Sequence, residues 1–429
     1  MKKKVLLIGG GGREHAIAWK LCQSPRIEKL YIAPGNAGTA ELGENLPHIA
    51  ASNIKEQVIF AKENGIDFVF VGPDDPLALG AVDAFKEAGI PVFGPTQAAA
   101  KLEWSKSFAK EFMTRYDIPT ARYETFTDFE RAVAYADEEN YPLVIKANGL
   151  ALGKGVVIVH TRKEALTTLR EMMVDKVFGT AGEEVVIEEF LNGIEISIHA
   201  FSDGKTHRLF PSAQDHKRAH DNDQGLNTGG MGVISPLPFV TREILQQIDD
   251  EIMTPTLEGM REEGVPFAGI LYPSVFLTED GPKVIEFNVR FGDPEAESYM
   301  RLLESDLFDI VEACANGTLD QVDIHWKRGA ACTVMVASAG YPGAYEKGQV
   351  ITGIKEANEL PDVIVFHAGT KQIGSDVTAH GGRVLAVTAT GATLPEAIKK
   401  AYTGVEEVYF PGKQYRTDIG KKALVTELP

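Results

Sequence analysis

Over the first hundred residues, short runs of apolar side chains alternate with segments whose apolar positions recur every three or four residues. The runs KVLLIG, LYIAP, DFVFVGP and PVFGP read as buried strands, and EHAIAWKLCQ, Ile54 to Asn64 and Leu77 to Ala88 read as amphipathic helices. Strands apolar on both faces, separated by helices, predict a parallel doubly wound α/β sheet, in which ligands sit at the carboxyl ends of the strands. Those ends are GGGGREH, APGNAGT and VGPDDP, whose glycines let backbone approach a ligand closely.

The rhythm changes after a helix from Gln97 to about Arg115. YPLVIKANG, GVVIVH, EEVVIEEFL and EISIHAF read as strands with little room for crossovers, apart from one helix at Lys163 to Val174. That spacing predicts an antiparallel or mixed sheet. Ser212 to Ser235 reads as a polar, glycine-rich loop, Thr241 to Glu263 as a helix, and GILYPSVFLTEDGPKVIEFNVRFGDPE as a hairpin turned at Asp280-Gly281. The last hundred residues form a small α+β unit. No repeat, low-complexity segment or disordered linker interrupts the pattern.

A chain of 429 residues is too long for one core and calls for several domains. No apolar run approaches the roughly 18 residues of a membrane helix, so no membrane partner is expected. The start MKKKVLLIGGGGREH has only Val5 to Ile8 apolar before polar residues intervene, which makes it a first strand and not a signal peptide. With 43 Lys plus Arg against 61 Asp plus Glu, the net charge of -18 argues against a nucleic-acid surface and leaves small molecules as partners. Cys22, Cys314 and Cys332 are scattered, which suggests neither a disulfide framework nor a zinc knuckle and fits a reducing cytoplasm.

The stretch VIKANGLALGKGVVIV holds the first candidate chemistry. It breaks the P-loop recipe: Gly149 to Gly153 is one residue short, Gly155 replaces the hydroxyl residue, and VVIV is a strand where a helix is required. The expected device is a glycine hairpin, mobile without nucleotide, that folds its amides over phosphates while Lys146 supplies a fixed charge. In VVIEEFLNGIEIS, the backbone after two acids can bond an adenine edge while Glu195 reaches ribose hydroxyls. In KVIEFNVRFGDPE, Glu286 and Asn288 share a face as two oxygen ligands suited to magnesium, and Arg290 continues that face toward a carboxylate or transferring phosphoryl group. QDHKRAHDNDQGLNTGGMG, with Asp215, His216, Lys217, Arg218, Asn227 and Thr228 among glycines, reads as a substrate-closing loop. His216 and His220 lack the acid of H-E-x-x-H, so zinc is not expected. Neither is a nicotinamide cofactor, because the third glycine of the dinucleotide fingerprint is missing and the second strand ends in Ala33 and Pro34. Taken singly, each motif has a plain alternative: an exposed hairpin with incidental lysines, a surface acid pair, a buried ion pair.

Together the pieces resemble the ATP-grasp superfamily, in which two sheet-bearing subdomains close on ATP. The collinear series GGREHAIAWK, APGNAGTA, VGPDDPL, FGPT, LEWSKSFAKEFM, IKANGLALGKGV, IEEFLNGIEIS, QDHKR, NTGGMG, IEFNVRFGDPE, FHAGT, GGRVLAVTA and DIG is similar, from Gly11 to Gly420, to the phosphoribosylamine-glycine ligase family. That resemblance implies ligation of glycine to 5-phosphoribosylamine with ATP, giving glycinamide ribonucleotide, ADP and phosphate through glycyl phosphate, the second step of de novo purine synthesis. It implies magnesium or manganese as metal, and a cytoplasmic monomer. Its layout is an N-terminal domain at 1–104, an ATP-grasp large domain at 105–122 and 193–325, a lid at 123–192 and a C-terminal α+β domain at 326–429.

By the same resemblance, Lys106, Lys146, Glu188, Glu189, Phe190, Leu191 and Glu195 would line the nucleotide, with Gly153, Lys154 and Gly155 over its phosphates. Glu286 and Asn288 would hold the metal. Gly11, Asn36, Gly38, Thr39, Asp74 and Pro76, with Asn227, Thr228 and Gly229, would receive substrate, and Asp215, Lys217, Arg290 and Asp293 would surround glycine and the acyl phosphate. Gly10, Asp74, Trp104, Asn148, Asn222, Leu226, Pro273 and Ser274 depart from the family pattern; Asp74 shortens a possible amine contact and Asn148 removes a negative charge beside the triphosphate. The rival readings are an ATP-grasp carboxylate-amine ligase of different substrate and a non-catalytic nucleotide-binding protein; PGNAGT with VGPDDP favours the ribosylamine. The chain ends after one ligase, so no fused downstream activity is expected.

Overall fold

The computed structural model describes residues 2–149 and 155–425. Strands β1 (Lys3–Gly9), β2 (Ile27–Pro34), β3 (Glu44–Asn45), β4 (Phe68–Val71) and β5 (Val92–Phe93) form a sheet in the order β3-β2-β1-β4-β5, parallel throughout. Val5, Leu6, Leu7 and Ile8 are fully buried, as strands covered on both faces must be. The order reverses at β1, so the loops after β1, β2 and β4 open along one edge.

Two helices are shorter than the periodicity predicts. Leu77 to Ala88 is divided into Asp74–Ala78 and Ala81–Glu87 by Gly80, whose φ of 84° lies in the left-handed region open to glycine. Gln97 to Arg115 is divided at Ser105 into Gln97–Trp104 and Lys106–Arg115, because the Ser105 hydroxyl accepts the Phe108 N–H and starts a new helix.

The middle of the chain holds two antiparallel sheets. The first, β6 (Tyr123–Phe126), β7 (Leu143–Ala147), β8 (Val156–Val159) and β9 (Val185–Glu189), runs β6-β9-β7-β8. Its period of two puts Leu143, Ile145, Val185 and Ile187 into a core under the helices, and Lys146 and Glu188 on the opposite face. The second sheet joins Ile194–Ser197, Ala200–Asp203 and His207–Leu209 to the hairpin Ala268–Thr278 and Gly281–Asn288. EISIHAF is thus two strands, and the hairpin turns at Glu279-Asp280, one residue earlier than expected, since Thr278 pairs with Gly281. The Thr241 to Glu263 helix is present as Arg242–Ile248 and Thr254–Glu262, joined through a π turn and capped by Thr241.

Ser212 to Ser235 is the clearest departure from the sequence pattern, because most of it is strand. Gln214–Asp215 and Gly232–Ser235 lie in one antiparallel sheet with Ala330–Ser338, Arg383–Gly391 and Val363–His367, and Arg218–His220 pairs with Gln224–Asn227 as a hairpin. Gly232 marks close approach here: a Cβ on it would lie 2.6 Å from the Thr333 carbonyl oxygen. The last hundred residues therefore complete their sheet with strands from the middle of the chain, under the helix Leu394–Glu407. Among the described residues no helix is long and apolar enough to cross a membrane, and the three cysteines are free thiols.

Candidate active site

One pocket gathers lysines and carboxylates from four segments: Lys106 and Lys110 from the helix Lys106–Arg115, Lys146 from β7, Glu188 from β9 and Glu286 from the hairpin's return strand. Lys146 is 3% exposed; its Nζ lies 2.9 Å from Glu188 Oε1 and donates to the Ile285 carbonyl at 3.0 Å, linking the two antiparallel sheets. Lys106 Nζ donates to the Gly149 carbonyl at 2.8 Å. Burial lowers the Lys106 ammonium, with Glu286 acting against it. Burial would raise the Glu286 carboxyl, but Lys217, Lys146 and Lys106 outweigh it and hold the group below the usual range.

Lys110 is absent from the sequence-derived set. Its Nζ lies 3.3 Å from the same Glu188 oxygen and donates to Thr120 Oγ1 at 2.8 Å. The signal was there in SKSFAKEFM, where Lys106 and Lys110 stand one helical turn apart. Asn148, one of the atypical positions, is a neutral cap: its Oδ1 accepts the backbone N–H of Lys106 at 2.7 Å and of Ser107 at 3.3 Å. Gly153 and Lys154 lie outside the described residues; the Gly155 carbonyl accepts the Ala147 N–H at 2.8 Å.

Glu189, Phe190 and Leu191 form one wall of an open concavity whose other wall is Thr278 to Lys283. Phe190 is exposed, and Glu189 Oε1 accepts the Arg122 N–H at 2.8 Å. Glu195 turns to Lys217 in an ion pair and accepts the Ser274 hydroxyl at 2.7 Å, so another atypical residue, Ser274, orients it.

Lys217 Nζ also lies 3.9 Å from Glu286, joining the lysine-lined pocket to the next cluster. Arg290 reaches Glu103 at 3.0 Å and donates to Asn288 Oδ1 at 2.9 Å; burial works against its charge, and Glu103 and Asp74 restore it. Asp215 Oδ1 is shut off from solvent without a hydrogen-bond partner among the described residues, and burial, then Glu295, pushes that carboxyl well up. Glu295 accepts Ser197 Oγ at 2.9 Å and the Tyr272 hydroxyl at 2.7 Å. Asp293 pairs with Arg383 at 2.9 Å. Arg383, Glu295 and Arg13, whose guanidinium donates to the Phe291 carbonyl at 3.1 Å, were missed: Arg383 comes from a distant strand with no local motif, whereas Glu295 stands in the quoted GDPE and Arg13 in the quoted GGREHAIAWK.

At the first sheet's edge, Asn36 is a scaffold. Its amide donates to the carbonyls of Gly10 at 3.0 Å and His367 at 2.8 Å, and its Oδ1 accepts the N–H groups of Gly38 and Thr39. A Cβ on Gly38 would lie 2.2 Å from His15 Cε1 and 2.7 Å from the His367 ring, so the loop is pressed against the C-terminal sheet. The Gly11 N–H donates to Glu14 at 2.7 Å. Asp74 opens its helix; burial would raise its carboxyl, but Arg290 and Arg13 hold it low, and Pro76 is buried in the same turn. Thr228 donates to the Lys217 carbonyl at 2.9 Å, the Gly229 N–H donates to the Tyr341 hydroxyl at 3.1 Å, and Asn227 is exposed. His216 is structural: Nδ1 lies 3.0 Å from the Gly232 carbonyl, Nε2 accepts the Gly420 N–H at 3.1 Å, and burial takes its pKa down to about 4.

For a metal, Glu286 and Asn288 offer two oxygens on one strand. Among the described residues no group of three or more His, Cys, Asp or Glu could hold an ion alone. That donor set fits a hard cation that keeps waters and substrate phosphates as its other ligands.

Comparison with known proteins agrees with this architecture. Family models described as the phosphoribosylglycinamide synthetase N domain, ATP-grasp (A) domain and C domain match residues 3–103, 104–296 and 331–422. The chain is 48% identical to a phosphoribosylamine-glycine ligase of Vibrio vulnificus, over 99% of each chain. It is 48% identical to the trifunctional purine biosynthetic protein adenosine-3 of Gallus gallus, of which it spans 42%. A solved structure of phosphoribosylamine-glycine ligase from Thermotoga maritima superposes with a TM-score of 0.82 at 35% identity, covering 97% of this chain and 99% of that one. Three consecutive family matches and near-half identity from end to end establish that the chain belongs to the phosphoribosylglycinamide synthetase family.

Proposed function

We propose that the protein joins glycine to 5-phosphoribosylamine at the expense of ATP, giving glycinamide ribonucleotide, ADP and phosphate in the second step of purine synthesis. The observation that supports this most is the convergence of Lys106, Lys146 and Glu286 on one pocket, in a chain 48% identical throughout to a phosphoribosylamine-glycine ligase.

A carboxylate is a poor electrophile. One oxygen of glycine attacks the γ-phosphorus, ADP departs, and glycyl phosphate results; the ribosylamine nitrogen then attacks the acyl carbon, phosphate leaves, and the nitrogen loses a proton. No bond to the enzyme forms, so the residues act by alignment and charge. Lys106 and Lys146, helped by the Gly153-Lys154-Gly155 segment, neutralise the phosphates, and the Glu189-Phe190-Leu191 backbone takes the adenine edge. Glu286 and Asn288 would hold magnesium or manganese, which would neutralise charge on the phosphates. Asp215, Lys217, Arg290 and Asp293 surround glycine and the acyl phosphate. Gly11, Asn36, Gly38, Thr39, Asp74 and Pro76, with Thr228 and Gly229, shape the ribosylamine side, where Asn36 acts through the loop it ties. The resemblance to the family implies a monomer as the working unit, acting in the cytoplasm.

Glycine labelled with 18O in its carboxylate tests the route. One labelled oxygen per turnover is expected in inorganic phosphate; unlabelled phosphate excludes glycyl phosphate.

A further inference from the structure

Lys110 and Lys146 converge on a single oxygen, Glu188 Oε1, at 3.3 Å and 2.9 Å, and the three residues are 2%, 3% and 4% exposed respectively. The two lysines differ in what else holds them. Lys110 also donates to Thr120 Oγ1 at 2.8 Å and the Ala121 carbonyl at 3.2 Å, and lies 5.3 Å from the Tyr123 ring centre. Among the described residues Lys146 has one further acceptor, the Ile285 carbonyl, in the wall of the pocket that Lys106, Glu103 and Glu286 also line.

A buried carboxylate needs one cation to stay compensated, and removing its last partner is heavily penalised. Lys146 can therefore leave Glu188 for an anion only if a second cation stays behind. The geometry points to Lys110 as the positioning residue that retains Glu188 when Lys146 turns to an incoming phosphate chain. This rests on the reading that ATP occupies the cleft. Burial takes the Lys110 ammonium down to about 8, Glu188 raising it and Lys146 lowering it; Glu189 is the other acid acting on it. Lys110 thus sheds its proton at mildly alkaline pH; because the departure of Lys146 raises it again, the exchange must take a proton up there and should weaken as pH rises.

The test is calorimetric binding of a nonhydrolysable ATP analogue with magnesium, at about pH 7 and about pH 9. At the lower pH, Lys110→Met is expected to bind more weakly by roughly 100-fold or more, as one uncompensated buried charge requires. The double variant Lys110→Met/Glu188→Gln should recover most of that loss, because nothing then detains Lys146. Wild type should weaken at the higher pH while Lys110→Arg does not, since guanidinium keeps its charge. Unchanged binding by Lys110→Met, or a double variant no better than the single one, would overturn the proposal; the second result is what a purely structural lysine gives. If Lys110→Met does not fold, identical pH profiles for wild type and Lys110→Arg would overturn it. Failure of the wild type to bind the analogue would instead sink the nucleotide reading and this inference with it.

Discussion

Glu297 is wholly buried, and neither carboxyl oxygen has a hydrogen-bond partner among the described residues. Burial, then the nearby Asp293, pushes its pKa well up. The sign follows directly: above about pH 4 the unfolded chain releases this proton and the folded chain keeps it, so stability is full below that value and declines as pH rises toward the folded pKa. Urea unfolding of wild type should show this group's loss, up to about 1.4 kcal/mol per pH unit while it lasts, and Glu297→Gln should remove it. An identical pH slope in the variant would mean the carboxyl ionises freely. At Glu286 the expectation concerns turnover: Glu286→Ala should lose on the order of 3 kcal/mol in kcat/KM, as for one key electrostatic group, and unchanged turnover at low magnesium would contradict its assignment.

At the scale of elements, the lysine-lined pocket depends on helix Lys106–Arg115 starting where it does, and Ser105 and Asn148 both cap that start. Asn148→Ala should therefore lower stability by about 1 kcal/mol, read as a fall in the thermal midpoint. The loop after β2 is fixed by packing: Gly38→Val should raise KM for the ribosylamine roughly tenfold through the collision with His15 and His367, while nucleotide affinity holds. Equal losses for both substrates would point to general damage. Elements whose apolar pattern agrees with their burial were legible, as in β1 and in β7 with its alternating Lys146. Ser105 and Gly80 were not, since one hydroxyl or one left-handed residue breaks a helix without disturbing its apolar period. Gly232–Ser235 was misread because its glycine answers a neighbouring strand that lies about a hundred residues away in sequence.

At the scale of the molecule, the C-terminal sheet includes strands from residues 214–235, and Arg383 donates to the carbonyls of Gly229 and Asp293, both at 2.7 Å. The boundary proposed at residue 326 is therefore no place to cut. A fragment of residues 1–325 keeps Gln214–Asp215 beside Gly232–Ser235 but removes Ala330–Ser338 from its other edge, and should show no single cooperative unfolding transition, which calorimetry would detect. The motifs named the lysines and carboxylates that line the buried pocket, but not Arg383 or Glu295, whose positions depend on which distant segments meet. The most direct test of the whole account is the substrate dependence of ADP formation. With magnesium and ATP, ADP should accumulate only when glycine and phosphoribosylamine, formed in place from ribose 5-phosphate and ammonia, are both present; equal turnover with unrelated amino acids, or without the ribosylamine, would contradict it.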